Sequence, residues 1–244
     1  MPNSRPRTAL VTGASRRIGR TIALALAEDG WQVAVHFRSS ALDAAAVVSE
    51  IEAQGGRAAA FQCDLADARA VADLVPRVSR ELGSLSCLVN NASEFRLDTL
   101  GSMTSETWDL HLDVNLKTPV FLAKAMAECL VNGESGNVIN IIDQRVWKLT
   151  PEFFSYTIAK SGLWTATRTL AQALAPRVRV NAIGPGPVLQ SVHQADAEFT
   201  AECRATLLQR GADPSEIAAA VRFILAAPAM TGQMIALDGG QHLT

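Results

Sequence analysis

Short apolar runs and stretches of helical period take turns along this chain from residue 8 to residue 240. TALVT (8–12), WQVAVHF (31–37), RAAAFQC (57–63), LSCLVN (85–90), NVINII (137–142) and RVRVNAI (177–183) are too short for buried helices. They read as strands, and QMIALDGG (233–240) holds a last one. Between them lie helical patterns at 18–30, 41–56, 67–83, about 104–131, 153–175 and 213–227. Gly30 and the Gly55-Gly56 pair supply stops, Pro76 a bend, and Asp213-Pro214 a cap. Only 184–212 lacks a readable period; it opens Gly-Pro-Gly-Pro and is expected to be a loop. Strands that alternate with helices predict βαβ units. The expectation is an α/β fold: a doubly wound parallel sheet of about seven strands, helices on both faces, and one domain over 1–244.

Composition narrows the function classes. The 244 residues are 48% hydrophobic and 19% charged, enough to bury a large core. A net charge of −2 offers no basic tract for nucleic acid. Cys63, Cys87, Cys129 and Cys203 include no C-x-x-C pair and no histidine cluster joins them, so no metal is expected and reduced thiols are. No apolar run is long enough for a membrane span, and the first residues lack a signal peptide's apolar core. A cytoplasmic protein is the expectation.

Ligands of doubly wound sheets bind beyond the carboxyl ends of the strands. The first such end is TGASRRIG (12–19), where Gly13 permits a tight turn and Gly19 a close helix–strand approach. A helix that begins near Arg17 aims its N–H groups at a pyrophosphate. The second strand ends HFRSS (36–40) with no carboxylate between Trp31 and Leu42. Arg38, Ser39 and Ser40, with Arg17 close by, suit a ribose 2′-phosphate better than a free 2′-hydroxyl. A solvated loop with one arginine is the plainer alternative. Asp64 either accepts from an adenine amino group or caps the next helix. Asn91, Ala92 and Ser93 end the fourth strand, where small residues let a ligand lie against the backbone.

Tyr156 and Lys160 stand four apart on one helix face. An ammonium beside a phenol lowers the phenol pKa and makes a usable proton donor. Thirteen residues before Tyr156, the fifth strand ends in Asp143. An ionised carboxylate cannot donate to a ketone oxygen, but it can accept from ring N–H groups or hold a water. Its plain alternative is a capping residue at a strand end.

T-G-x(5)-G at 12–19, N-N-A at 90–92, Asn115, Y-x-x-x-K at 156–160 and P-G at 185–186 resemble the short-chain dehydrogenase/reductase family. That resemblance implies a Rossmann-type sheet, a homotetramer, and NADP(H) held by Gly13, Arg17, Ile18, Gly19, His36, Arg38, Ser39, Ser40, Asp64, Leu65, Asn91, Ala92, Ser93, Lys160, Pro185, Gly186 and Val188. It places Asn115, Tyr156 and Lys160 in a proton relay, with hydride passing from the nicotinamide to an electrophilic carbon. Three positions depart from the common family pattern: Asp143 for Ser, Arg17 for Gly, and N-N-A-S for N-N-A-G. Together with N-N-A-S-x-F (90–95) and LDGGQHL (237–243), they look like the pteridine, dihydromonapterin and dihydrofolate reductases of this fold. The subgroup pattern implies a pterin or folate substrate stacked under Phe95 and held by Asp143 and Tyr156, and reduction of a ring C=N. A surface-loop role for Phe95, and reduction of a ketone or aldehyde such as a 3-oxoacyl compound, are the alternatives. Trp147, Phe153 and Phe154 flank the site as wall or core, and His193 falls in the 184–212 segment, read as a lid.

Overall fold

A computed structural model describes residues 7–190 and 194–244; His193 lies outside them. Seven strands form one parallel sheet: β1 (Thr8–Val11), β2 (Gln32–Phe37), β3 (Ala58–Gln62), β4 (Leu85–Asn90), β5 (Gly136–Ile141), β6 (Val178–Pro185) and β7 (Met234–Leu237). Their order is β3-β2-β1-β4-β5-β6-β7. Chain order runs outward in both directions from the β1/β4 pair, so that pair is the topological switch point. In β1, Ala9 and Val11 point into one core with Ile22, Leu26 and Val221, while Leu10 points into another with Leu74, Leu88 and Met126. All three β1 residues are fully buried, as a central parallel strand requires.

The first core lies under α1 (Arg17–Glu28), α2 (Ala41–Ala53) and α8 (Pro214–Ala226). The second lies under α3 (Ala68–Leu82) and α5 (Thr118–Cys129), with the end of α6 (Phe154–Leu174). The expected doubly wound α/β architecture is therefore present. α3 runs through Pro76 without a break, and its N-cap is Asp67, whose carboxylate accepts from the Arg69 and Ala70 amides. The capping alternative for Asp64 is thus corrected: Asp64 accepts from Ala66 N at 3.0 Å and stays in its own turn.

Two stretches differ from the sequence expectation. The single helical tract over 104–131 divides into α4 (Ser105–Leu112), a π-helical turn over Asp113–Lys117, and α5. Pro119 explains the division. It has no N–H for the Asn115 carbonyl, and its ring would crowd that carbonyl in an unbroken α-helix. A wider turn relieves both, and Thr118 N reaches back to Asp113 O. The loop expected over 184–212 carries α7 (Asp196–Arg204), whose first turn holds Asp196 and Glu198. Glu198 accepts from Ala195 N at 2.9 Å, a cap that stabilises a helix with no buried side chain. No described helix is long and apolar enough to cross a membrane.

Candidate active site

The switch point opens a cleft of about 370 Å³, and every residue predicted for the cofactor at the first four strand ends lines it. Gly13 stands at φ +64, and a Cβ on Gly19 would come 2.2 Å from the Gly13 carbonyl oxygen. Only glycine lets the helix press so closely on the turn. Thr12 Oγ1 accepts from the Asn91 and Ala92 amides, both at 2.9 Å, and Asn91 Nδ2 donates to Thr12 O. The first and fourth strand ends are thereby fastened together. His36 braces the turn from behind. Gly13 N donates to its Nδ1 at 2.9 Å, so Nε2 carries the proton and donates to Cys63 O at 3.0 Å. Burial holds this histidine neutral, with a pKa lowered to about 4.

α1 begins in the cleft with no side-chain cap and no acidic residue in its first turn. Its orphan N–H groups and positive dipole end are those an anion would satisfy. A dinucleotide therefore fits: the turn is glycine-shaped for close approach, the helix end is free for a pyrophosphate, and Arg38, Ser39 and Ser40 rim the far side. Arg17 does not join that rim. At φ +54 its guanidinium turns away and donates to Leu189 O and Gln190 O, both at 2.9 Å. The expectation that it reaches toward the 2′-phosphate is corrected: it ties the first turn to the segment after β6. The left-handed φ also explains why glycine suits position 17. Pro185 and Gly186, at the end of β6, pack against β7 instead of lining the cleft: Gly186 N donates to Leu237 O at 3.1 Å. Val188 packs on the first core.

Tyr156, in the first turn of α6 and 5% exposed, donates its hydroxyl to Asp143 Oδ2 at 2.8 Å. The other carboxylate oxygen, Oδ1, accepts from Arg145 N at 2.8 Å and caps a short 3₁₀ turn over Gln144–Val146. The capping alternative for Asp143 is present, and the cap fixes the carboxylate so that its second oxygen faces the phenol. Burial raises the Asp143 pKa above the usual carboxylate range, against the opposing pull of the Arg145 amide. The Tyr156 pKa is also raised, by burial and then by the Asp143 charge. The expected lowering by Lys160 is corrected. Lys160 sits 5.7 Å from the Tyr156 ring centroid and donates to Ile141 O at 2.9 Å, not to the phenol. Burial lowers the Lys160 pKa to about 8. Asn115 stands in the π turn, and its amide fastens the Ser93–Glu94 segment: Oδ1 accepts from Glu94 N at 2.9 Å and Nδ2 donates to Glu94 O at 2.8 Å.

Residues 13–242 match the family model described as enoyl-(acyl carrier protein) reductase. A 3-oxoacyl-[acyl-carrier-protein] reductase of Synechocystis is 39% identical over 239 residues, 95% of each chain. The chain belongs to the short-chain dehydrogenase/reductase family. Among solved structures, FolM alternative dihydrofolate reductase 1 of Brucella suis, in complex with NADP, is 48% identical with a TM-score of 0.95. That match covers 100% of this chain and 97% of the other. A short chain dehydrogenase of Burkholderia cenocepacia in complex with NADP is 36% identical, with a TM-score of 0.91, over 98% of this chain and 99% of that one.

Beside the Tyr156–Lys160 pair, the structure places an aromatic cluster. Phe95 stacks on Phe153, with centroids 4.3 Å apart and planes 5° apart, and meets Tyr156 edge-on at 4.7 Å. The Arg145 guanidinium lies 4.8 Å from the Phe153 ring centroid. The packing alternative for Phe95 is thus realised in part, since one ring face is given to Phe153. Trp147, 42% exposed, lies against His242 at 5.0 Å.

Sequence reasoning missed a buried chain behind Tyr156. Arg96 N donates to His111 Nε2, His111 Nδ1–H donates to Ser155 Oγ at 2.6 Å, and the Ser155 hydroxyl donates to Asp98. It locks the start of α6 to the segment that carries Phe95. No local signal marks it, because the partners lie 44 and 57 residues apart. A larger cavity, about 950 Å³, opens at the amino edge of the sheet, but its Arg7 and Arg222 are bonded to Asp29 and it lies far from the strand ends where this family works.

Proposed function

We propose that this chain reduces a ring C=N bond of a pterin, of the dihydropteridine, dihydromonapterin or dihydrofolate type, with NADPH. The observation that carries the proposal is the 2.8 Å contact between Tyr156 Oη and Asp143 Oδ2. A reductase of ketones needs a neutral hydrogen-bond donor beside the tyrosine, to share the developing oxyanion. A carboxylate there repels such an oxyanion. It accepts instead from the N–H edge of a heterocycle, or holds a water beside it. Bound NADPH would supply the hydride. Tyr156 holds its proton across the neutral range, because both burial and Asp143 disfavour its phenolate, and it delivers that proton next to the wall made by Phe95. Lys160, cationic below about pH 8, would bind the nicotinamide ribose, as the family pattern implies, and Asn115 fastens the Ser93–Glu94 segment. The NADP complex and dihydrofolate reductase description of the 48% identical Brucella protein support both the cofactor and the substrate class.

The second reading is reduction of a 3-oxoacyl compound. The curated relatives at 36–39% identity favour it. One assay separates the two. Purified protein and NADPH are mixed in turn with dihydrobiopterin, dihydromonapterin, dihydrofolate and a 3-oxoacyl thioester, and absorbance at the nicotinamide band is followed. Turnover of at least one pterin with a higher kcat/KM than the thioester is the expected result. Turnover of the thioester alone supports the second reading and ends the first.

We also propose a homotetramer, as the family pattern implies. Phe121 on α5 and Phe223 on α8 are 54% and 56% exposed, on opposite layers of the molecule, and β7 is an edge strand. Light scattering should give about four times the 26.0 kDa chain mass, and a monomer mass would refute this assembly.

A further inference from the structure

One side chain at the mouth of the cofactor cleft has no part in the reading above. Glu94 follows Ser93 in the loop after β4, and its carboxylate binds the Arg38 guanidinium. Arg38 is the cation expected at the 2′-phosphate. The same carboxylate lies 3.6 Å from Arg96 Nε. Glu94 is 15% exposed, whereas Arg38 and Arg96 are 54% and 55% exposed. Asn115 clamps the Glu94 backbone from both sides, through its N–H and its carbonyl, so the side chain has a fixed root. The geometry is one carboxylate on a loop fastened by Asn115, shared between two exposed guanidinium groups, only one of which lines the cleft.

We propose that Glu94 is a specificity-setting residue of the cofactor site: its carboxylate competes with the 2′-phosphate for Arg38, and Arg96 takes up the carboxylate when Arg38 changes partner. A phosphate dianion and a carboxylate repel each other when both contact one guanidinium. Arg38 therefore serves one at a time. Arg96 makes the exchange easy, because Glu94 is never left without a cation. The two arginines have opposite effects: Arg38 binds the phosphate, and Arg96 frees Arg38 to do so. The scale follows from exposed ion pairs, which are weak; removing one competitor changes affinity about three- to five-fold, not by orders of magnitude.

The proposal rests on the NADPH reading, and its test keeps the two apart. Binding of adenosine 2′,5′-bisphosphate and of ADP, which lacks the 2′-phosphate, is measured by calorimetry on the full-length protein. The wild type, Glu94→Gln and Arg96→Ala are compared. Glu94→Gln is expected to tighten the 2′,5′-bisphosphate about three- to five-fold and Arg96→Ala to weaken it by a similar factor, with ADP unchanged in both. Opposite signs confined to one ligand are not what a general disturbance of the loop produces. If the wild type binds the bisphosphate no better than ADP, the NADPH reading fails and this proposal with it. If the wild type discriminates but Glu94→Gln leaves the bisphosphate unchanged or weaker, or both variants shift both ligands alike, the competition is refuted while the NADPH reading stands.

Discussion

Tyr156 and Asp143 share one hydrogen bond, Oη to Oδ2, at 2.8 Å. Buried together, neither group is at its ordinary pKa: the carboxyl is raised by burial, and the phenol is raised by burial and by the carboxylate it faces. The phenol is the group that keeps a proton at neutral pH, and so it is the donor in the proposed reaction. Tyr156→Phe removes that proton while keeping the ring against Phe95. It is expected to lower kcat by about 10²-fold or more and to leave NADPH binding within about two-fold, read by turnover and by quenching of nicotinamide fluorescence. A variant with wild-type kcat would remove Tyr156 from the donor role. The spacing of Tyr156 and Lys160 was legible in the sequence, because helical period alone puts residues four apart on one face. The direction of the phenol pKa was not. It depends on burial and on the Asp143 carboxylate, which faces the phenol only in the folded chain, while the Ile141 carbonyl takes the Lys160 ammonium.

At the scale of the element, the first turn shows how much backbone geometry the glycines carry. A Cβ on Gly19 would meet the Gly13 carbonyl at 2.2 Å and Asn91 Nδ2 at 2.6 Å. The first is backbone, so α1 and the turn must move apart by about 1 Å to restore van der Waals distance. Gly19→Ala should therefore weaken NADPH by more than about ten-fold in a fluorescence titration, because the helix end and the turn no longer face one phosphate. Unchanged affinity would show that the turn is not the pyrophosphate cradle. Strand ends and glycine turns were readable, since each is set within a few residues. The split of 104–131 was readable in principle from Pro119, whose missing N–H and crowding ring forbid a continuous α-helix there. α7 was not: its nine residues bury no side chain, and so they leave no apolar period to find.

The whole molecule is a sheet whose switch point brings together the ends of β1 and β4, so that groups distant in sequence converge on one cleft. Architecture was legible because it follows from alternation alone. The closing contacts of the site were not, because Phe95 on Phe153, His111 on Ser155 and Arg38 on Glu94 are each set by tertiary placement. His36, inside that framework, links the site to global stability. It is 2% exposed with a pKa of about 4, against an ordinary value of 6.5. Between pH 6.5 and 4 the unfolded chain takes up a proton that the folded chain refuses, so stability rises with pH through that window and is lost on acidification. The full loss from this group is roughly 3 kcal/mol. His36→Asn cannot titrate, so its denaturant-unfolding free energy should fall less steeply than the wild type's from pH 6.5 to 4. Parallel curves would mean that His36 is charged in the folded protein.

In the proposed reaction the acid at position 143 turns a carbonyl-reductase frame toward a ring C=N. Asp143→Ser probes it at one position, because serine puts a neutral donor where the carboxylate now faces Tyr156. The measurement is kcat/KM with NADPH for the best pterin and for a 3-oxoacyl thioester, in wild type and variant. The pterin value is expected to fall by about 10²-fold or more while the thioester value rises. A variant that keeps the wild-type pterin kcat/KM would contradict it and leave Asp143 as no more than the cap of the Gln144–Val146 turn.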